Sequence, residues 1–224
     1  MPENKGYNFK EELKKDWYLL LLITVMFIVS IVVYSDLPSK MPIHWNLQGQ
    51  VDSYGNRFWG AFMMPLINIG VLLLMLVTPL IDPKKENYNK FGASYRVIRA
   101  ILILFFAVLH FVILGFALGY NFDIGRIIVL VLGVLFLLLG NYLPRVRHNY
   151  FLGIKSPWTL ANEKVWRKTQ RLAGKLFVVS GIIMMLSIFF SDQLRFVLLI
   201  VCILGSTLAS TIYSYFIYKE EEGE

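Results

Sequence analysis

Six stretches that contain no Asp, Glu, Lys or Arg take up more than half of the chain: 17–34, 58–81, 100–121, 127–144, 176–190 and 196–218. A hydrocarbon core about 30 Å thick needs about 20 apolar residues to be crossed as a helix. Five of the stretches approach or exceed that length. The fifth in order, 176–190, is shorter and spans only if Lys175 snorkels and its helix begins near Leu172. In lipid every backbone polar group needs an internal partner, so these stretches are expected to be helices. The alternation of a membrane β-barrel is missing. The expectation is an all-α integral membrane protein with six transmembrane helices.

The first 16 residues form a polar lead with no A-x-A-like site after the apolar run, so the first helix is expected to remain as an anchor. The single cysteine, Cys202, lies inside the sixth stretch and reads as a small buried residue. The cations orient the chain. Eighteen of the 22 Lys and Arg fall on the N-terminal lead, the second and fourth connections and the C-terminal tail, and four on the other connections. By the positive-inside rule both termini are cytoplasmic, and the connection after the first helix is outside. The short third and fifth connections predict antiparallel helix pairs. Tyr and Trp at the ends of the stretches form an interfacial belt.

This divides the chain into a cytoplasmic tail (1–16), an N-terminal module (17–99, with an extracellular loop at 35–57 and a cytoplasmic loop at 82–99), a C-terminal module (100–218, with a cytoplasmic loop at 145–175) and a tail (219–224). The final KEEEGE reads as a solvated charge run.

The outer loop has Pro38 and Pro42, which interrupt a helix, and turn residues at Gly49 and 52–56. Residues 41–46 read as a short extended segment, and the whole as a compact cap. His44, Asn46 and Asp52 lack the spacing of a metal site.

Eight Lys and Arg crowd into residues 145–175. Pro144 stops the fourth helix, Gly153 permits a turn, and Thr159 or Asn162 is placed to cap a following helix. From there Val165, Trp166, Thr169, Leu172, Ala173 and Leu176 form an apolar stripe. Lys164, Arg167, Lys168, Arg171 and Lys175 form a basic one. This is an amphipathic helix running directly into the fifth span, with cations suited to anionic headgroups. Headgroup attraction does not account for the specific string from Asn149 to Thr159, and no nucleic-acid reader is visible.

That string carries a resemblance. GNYLPRVRHNYFLGIKSPWTLANEKVWRKTQRLAG resembles the signature of the SdpI family of bacterial membrane proteins. Gly140, Asn141, Asn149 and Gly153 to Leu160 fall on its first part, and Trp166, Thr169, Gln170 and Arg171 on its second. Lys155 stands where Arg is common. Gln170 stands where His is common, which removes a titratable group there. The outer-loop string LPSKMPIHWNLQGQVDSYGNRF resembles a module of unknown function often fused ahead of this one. The resemblance implies immunity to a secreted sporulation-delaying toxin peptide, and signalling by holding a winged-helix repressor of the ArsR type at the membrane. Under it, His44, Trp45, Asn46, Asp52 and Tyr54 are candidates to face the toxin. Asn149, Gly153, Lys155, Pro157, Trp158, Thr159, Trp166, Arg167 and Arg171 are candidates to bind the cytoplasmic partner. It implies no catalytic residue, no metal and no cofactor.

The three histidines, His44, His110 and His148, fall at different depths and do not converge as a catalytic site. Asn68, His110 and Asn141, with Thr and Ser residues, are the polar side chains within spans. His110 reads either as a packed, hydrogen-bonded residue or as part of a ligand or proton path. A small transporter or efflux protein for a peptide or lipid, or an envelope-stress sensor, is the alternative function, although no acidic residue lies mid-span to couple an ion. The lipid bilayer is the one partner that composition alone requires, and the oligomeric state is left open.

Overall fold

The computed structural model describes residues 7–46 and 49–223. Residues 1–6 of the expected N-terminal tail and Glu224 of the C-terminal one lie outside them. Eight helices and one β-hairpin follow in order: α1 (Phe9–Lys15), α2 (Trp17–Val33), β1 (Lys40–Trp45), β2 (Val51–Asn56), α3 (Arg57–Ile81), α4 (Tyr88–Ala117), α5 (Ile124–Tyr142), α6 (Pro157–Ala161), α7 (Glu163–Ser187) and α8 (Asp192–Glu222). Five helices are long and apolar enough to cross a membrane, and the count rises to six if α1 and α2 form one span bent by 62°. Alone, the 17 residues of α2 make about 26 Å of helix, slightly less than a hydrocarbon core.

The helix starts obey local chemistry. Asn8, Asn56, Asp123 and Asn162 each accept backbone N–H groups at the starts of α1, α3, α5 and α7. Asn162 therefore caps as expected. Thr159 instead serves inside α6, in a reciprocal capping box with Ser156.

The most intimate contact joins α5 to α7. Two glycines on each helix, seven residues apart, face each other in antiparallel order. A Cβ on Gly133 would lie 2.9 Å from the Gly181 carbonyl oxygen, and one on Gly140 would lie 2.7 Å from that of Gly174. A Cβ on Gly181 would meet the Gly133 oxygen at 2.5 Å. Lipid supplies no hydrophobic force between helices, so close backbone approach through small residues is what brings them together. On the other side of α7, α8 presents Cys202, Ser206, Ser210 and Ser214, all buried at four-residue spacing. The N-terminal half packs α2, α3 and α4 around Leu19, Ile23, Leu72, Leu76 and Ile103. His110 is buried there. Its Nε2 lies 3.3 Å from both the Ser30 hydroxyl and the Met26 carbonyl oxygen, and Asn68 donates to the Ile103 carbonyl at 3.1 Å. His110 is thus a packed, hydrogen-bonded residue.

Four features depart from the sequence reading. First, the all-helical frame carries a two-stranded antiparallel hairpin at 40–56, where a turn-rich cap was expected; the extended segment at 41–46 is its first strand. The pairing is irregular between Pro42 and Trp45, because Pro42 and the alternation around His44 interrupt the ladder.

Second, the lead is not a free polar tail: α1 folds back so that Glu12 and Asp16 are buried against Arg96 and Arg99. Third, the loop expected at 82–99 shrinks, because α4 begins at Tyr88, whereas α7 begins at Glu163 inside 145–175, where the amphipathic helix was expected. Arg99 was counted as a loop cation but is 0% exposed within α4, 2.6 Å from Asp16. Fourth, the C-terminal tail is not free charge: α8 continues to Glu222, and Glu221 pairs with Lys168 at 2.8 Å and Lys164 at 3.2 Å.

Gly181→Ala is expected to lose about 1–3 kcal/mol from forced separation of α5 and α7. Gly70→Ala, where a new Cβ meets nothing within 4 Å, is expected to be neutral or to gain up to about 1 kcal/mol through helix propensity. Unfolding of the two variants in detergent micelles checks this. Equal stability would contradict the close crossing.

Candidate functional site

Two places concentrate polar and aromatic side chains, one at each end of the bundle. The first is the segment between α5 and α7. Antiparallel neighbours need only a few residues to connect, yet here twenty separate Tyr142 from Glu163, and internal hydrogen bonds fold them. Asn149 is fully buried. Its carbonyl oxygen accepts the Phe151 and Leu152 amides at 2.8 and 2.7 Å, and its Nδ2 donates to the Arg147 and Leu152 carbonyls at 2.8 and 2.9 Å. That fourfold use of an amide shapes a turn that a hydrophobic residue cannot make. Gly153 follows at φ +114°, a backbone conformation that favours glycine, and a Cβ there would lie 2.8 Å from Gln170 Oε1. Gln170 reaches back from α7: Oε1 accepts the Ile154 amide at 3.0 Å and Nε2 donates to the Ile154 carbonyl at 2.9 Å. The Trp166 indole donates to the Val146 carbonyl at 3.0 Å, with the ring wholly enclosed.

Thr159 and Ser156 complete the lock. The Thr159 hydroxyl donates toward the Ile154 and Ser156 carbonyls, and Ser156 Oγ lies 2.8 Å from Ser214 Oγ on α8. Trp158 is half-buried edge-on to Tyr215, also on α8, with ring centroids 5.1 Å apart. The structure thus separates the nine partner-binding candidates into two groups. Asn149, Thr159 and Trp166 are buried and hold the loop, and Gly153 fits a turn under Gln170. Lys155, Pro157, Arg167 and Arg171 are exposed. Lys155 donates to the Tyr150 and Phe151 carbonyls at 3.3 and 3.2 Å, so its ammonium covers the loop from outside.

The N-terminal half reaches the same place. Asp82, at the end of α3, is buried and accepts three donors: the Lys84 amide at 2.7 Å, the Tyr88 hydroxyl at 2.9 Å and the Tyr150 amide at 3.0 Å. Asn87 donates to the His148 carbonyl at 2.8 Å. His148 lies between Trp166 and Tyr150. Burial, reinforced by the nearby Lys84, lowers its pKa from the ordinary histidine range.

The second place is at the hairpin end. His44 and Asp52 pair across the strands, Nδ1 to Oδ1 at 2.6 Å, and both are exposed. Trp45 packs edge-on against Phe116 of α4. The Asn46 Oδ1 accepts the Gln50 amide at 3.0 Å and so shapes the hairpin turn. Tyr54 is exposed on β2. Of the five toxin-facing candidates, His44, Trp45, Asn46 and Asp52 line one cleft of about 430 Å³ between the hairpin and the first turns of α5 and α8; Tyr54 does not.

Sequence reasoning missed Arg195 and Asp192 there, treating them as an ordinary short connection. Arg195 is only 4% exposed and donates to Asp192 at 2.6 Å. The one available signal was an arginine three residues into an apolar helix, a position where a charge is costly unless paired.

These features define a multi-pass α-helical protein of the cell membrane with a folded loop between α5 and α7. Residues 145–214 match the SdpI/YfhL protein family, and residues 21–69 match a domain of unknown function, DUF1648. The chain is 30% identical over 215 residues to the "Immunity protein SdpI" of Bacillus subtilis (strain 168), covering 94% of this chain and 99% of that protein. It belongs to the SdpI family. No solved structure matches it.

Asn149→Leu strands the Phe151 and Leu152 amides, at about 1–3 kcal/mol for each buried group left unpaired. It is expected to lower the unfolding midpoint and expose the 145–162 loop to protease, whereas Arg167→Ala is expected to do neither. In an NMR titration of its imidazole, His148 is expected to stay neutral to lower pH than an ordinary solvent-exposed histidine.

Proposed function

We propose that this chain protects its producer from a secreted antimicrobial peptide, and that its loop end holds a small winged-helix repressor at the inner face of the membrane. The observation that carries the first part is similarity to a protein named for immunity along nearly the whole of both chains. In this reading the termini and the 145–162 loop are cytoplasmic and the hairpin is outside, as the 18-to-4 partition of cations favours. The toxin is met at the hairpin end, by His44, Trp45, Asn46, Asp52 and Tyr54. The repressor docks on the exposed part of the motif loop, Lys155, Pro157, Arg167 and Arg171, with the edge of Trp158. The buried Asn149, Gly153, Thr159 and Trp166 present that surface rather than touch the partner. The domain units follow: an N-terminal module ending at α4, and a C-terminal module from α4 onward that carries the motif.

Signalling of this kind requires that the peptide bind one of two conformations of the bundle more tightly, and that the repressor distinguish the same two. The contacts of Asp82 with Tyr150, and of Ser214 with Ser156, join both modules to the docking loop, which supports a shared response.

Expressed in a toxin-sensitive strain, the chain is expected to restore survival, and a tagged repressor is expected to collect at the membrane only with toxin present. Arg167→Ala with Arg171→Ala is expected to abolish recruitment while survival persists. Loss of neither would refute the docking surface, and no survival with normal membrane insertion would refute the immunity reading. In a Cys202→Ser background, Lys155→Cys is expected to react with a membrane-impermeant maleimide only after permeabilisation, and Gln50→Cys in intact cells. The reverse pattern would overturn the orientation.

A further inference from the structure

Among the described residues, the cleft at the hairpin end has two buried donors without an acceptor. Arg195 is 4% exposed and spends Nη2 on Asp192, while its Nη1 is buried without a hydrogen-bond partner among the described residues. The Trp45 indole Nε1 is buried without one as well. Both side chains line the same cleft of about 430 Å³. A buried donor without an acceptor carries its desolvation cost unrepaid, so two of them in one cleft mark a place for an acceptor. One side of the cleft is apolar, formed by Ile128, Val129, Phe196 and Leu199.

Charge decides what kind of acceptor fits. Two acids face the cleft, Asp52 and Asp192, and Arg195 and His44 are already paired with them. Asp123 beside it is matched by Arg126 at 3.0 Å. With His44 neutral the cleft has one negative charge in excess, and with His44 protonated it has none. A phosphate or carboxylate would enter against that balance, whereas a neutral carbonyl would not. We infer that this cleft is a binding site for a neutral peptide segment, whose backbone carbonyl accepts from Trp45 Nε1 and Arg195 Nη1 and whose apolar side chain lies against Phe196 and Leu199. The inference deepens the immunity reading: it supplies the chemistry by which the hairpin end takes hold of an apolar peptide, beneath the exposed faces of His44 and Tyr54.

The full chain in lipid nanodiscs tests it with ¹⁵N-labelled tryptophan, the Trp45 indole resonance being assigned by its loss in Trp45→Phe. N-acetyl-leucinamide is expected to shift that resonance saturably. N-acetyl-leucine, which replaces the amide by a carboxylate, is expected to bind at least fivefold more weakly, and inorganic phosphate not to compete. Arg195→Lys keeps a cation beside Asp192 but loses the second fork nitrogen, and is expected to weaken the amide at least tenfold. Phe196→Ala, on the exposed wall, serves as a second variant and is expected to weaken it similarly. No saturable shift, equal or tighter binding of the carboxylate, or unchanged affinity in both variants would overturn the assignment. The immunity reading fails separately: survival retained in a variant that has lost the amide sinks the cleft alone, while lost protection by a chain that still binds the amide sinks the immunity reading.

Discussion

The backbone contact between α5 and α7 is the constraint from which the motif end is built. Gly133 and Gly140 meet Gly181 and Gly174 closely enough that no side chain fits between them. In a bilayer such packing replaces the hydrophobic force that water would supply. With the two helices held so near, the chain between them has far more residues than the gap requires. The surplus has to fold on itself, and buried backbone groups there must find partners within the loop. Asn149, Ser156, Thr159, Trp166 and Gln170 supply those partners. The loop is therefore a small folded body set on the ends of α5, α7 and α8, held by its own internal hydrogen bonds and carrying a cationic outer face.

In the N-terminal half, charge sets the path of the lead over helices that are themselves packed through apolar side chains. Arg99, without solvent exposure, lies 2.6 Å from Asp16 and 3.5 Å from Glu12; Arg96 and Lys15 reach Glu12 at 3.1 and 2.8 Å. Burying such ions costs several kcal/mol each before their attraction repays it, so the cluster is a weak source of net stability. Its consequence is geometric. Each partner would be stranded without the others, so α1 has to bend back over the end of α4 in place of extending into solvent. Asp82 works the same way one step along the chain, holding the Tyr88 hydroxyl at the start of α4 and the Tyr150 amide of the motif loop.

The spans were legible because their cause is local: an uncharged run of sufficient length is a helix in lipid whatever surrounds it. The amphipathic stripes of α7 were legible for the same reason, and Val165, Trp166, Thr169 and Ala173 are all buried. Three things depended on remote contacts and were not legible. The polar lead folds only because Arg99 lies across from it, more than eighty residues away. Residues 219–222 of the tail stay helical beside α7, with Glu221 between Lys164 and Lys168. Asn149, Thr159 and Trp166 were candidates to touch a partner under the family resemblance, although Trp166 also falls on the apolar stripe of α7. Side-chain type does not reveal which way a residue faces, and these three turn inward.

α8 is the element common to both ends. Its 31 residues make about 46 Å of continuous helix. Arg195 lies in the first turn, under the hairpin, and Ser214, Tyr215 and Glu221 lie in the last turns, against Ser156, Trp158 and the cations of α7. Its neighbour-facing side is small, Cys202, Ser206, Ser210 and Ser214, and each hydroxyl is spent on a backbone carbonyl of α8 itself. Across the middle of the bundle Leu199 and Ile203 pack with Val129 and Met184, and Ser180 donates to the Cys202 carbonyl at 3.3 Å. α8 is therefore gripped in the middle as well as beside the loop, and one continuous helix borders both candidate sites.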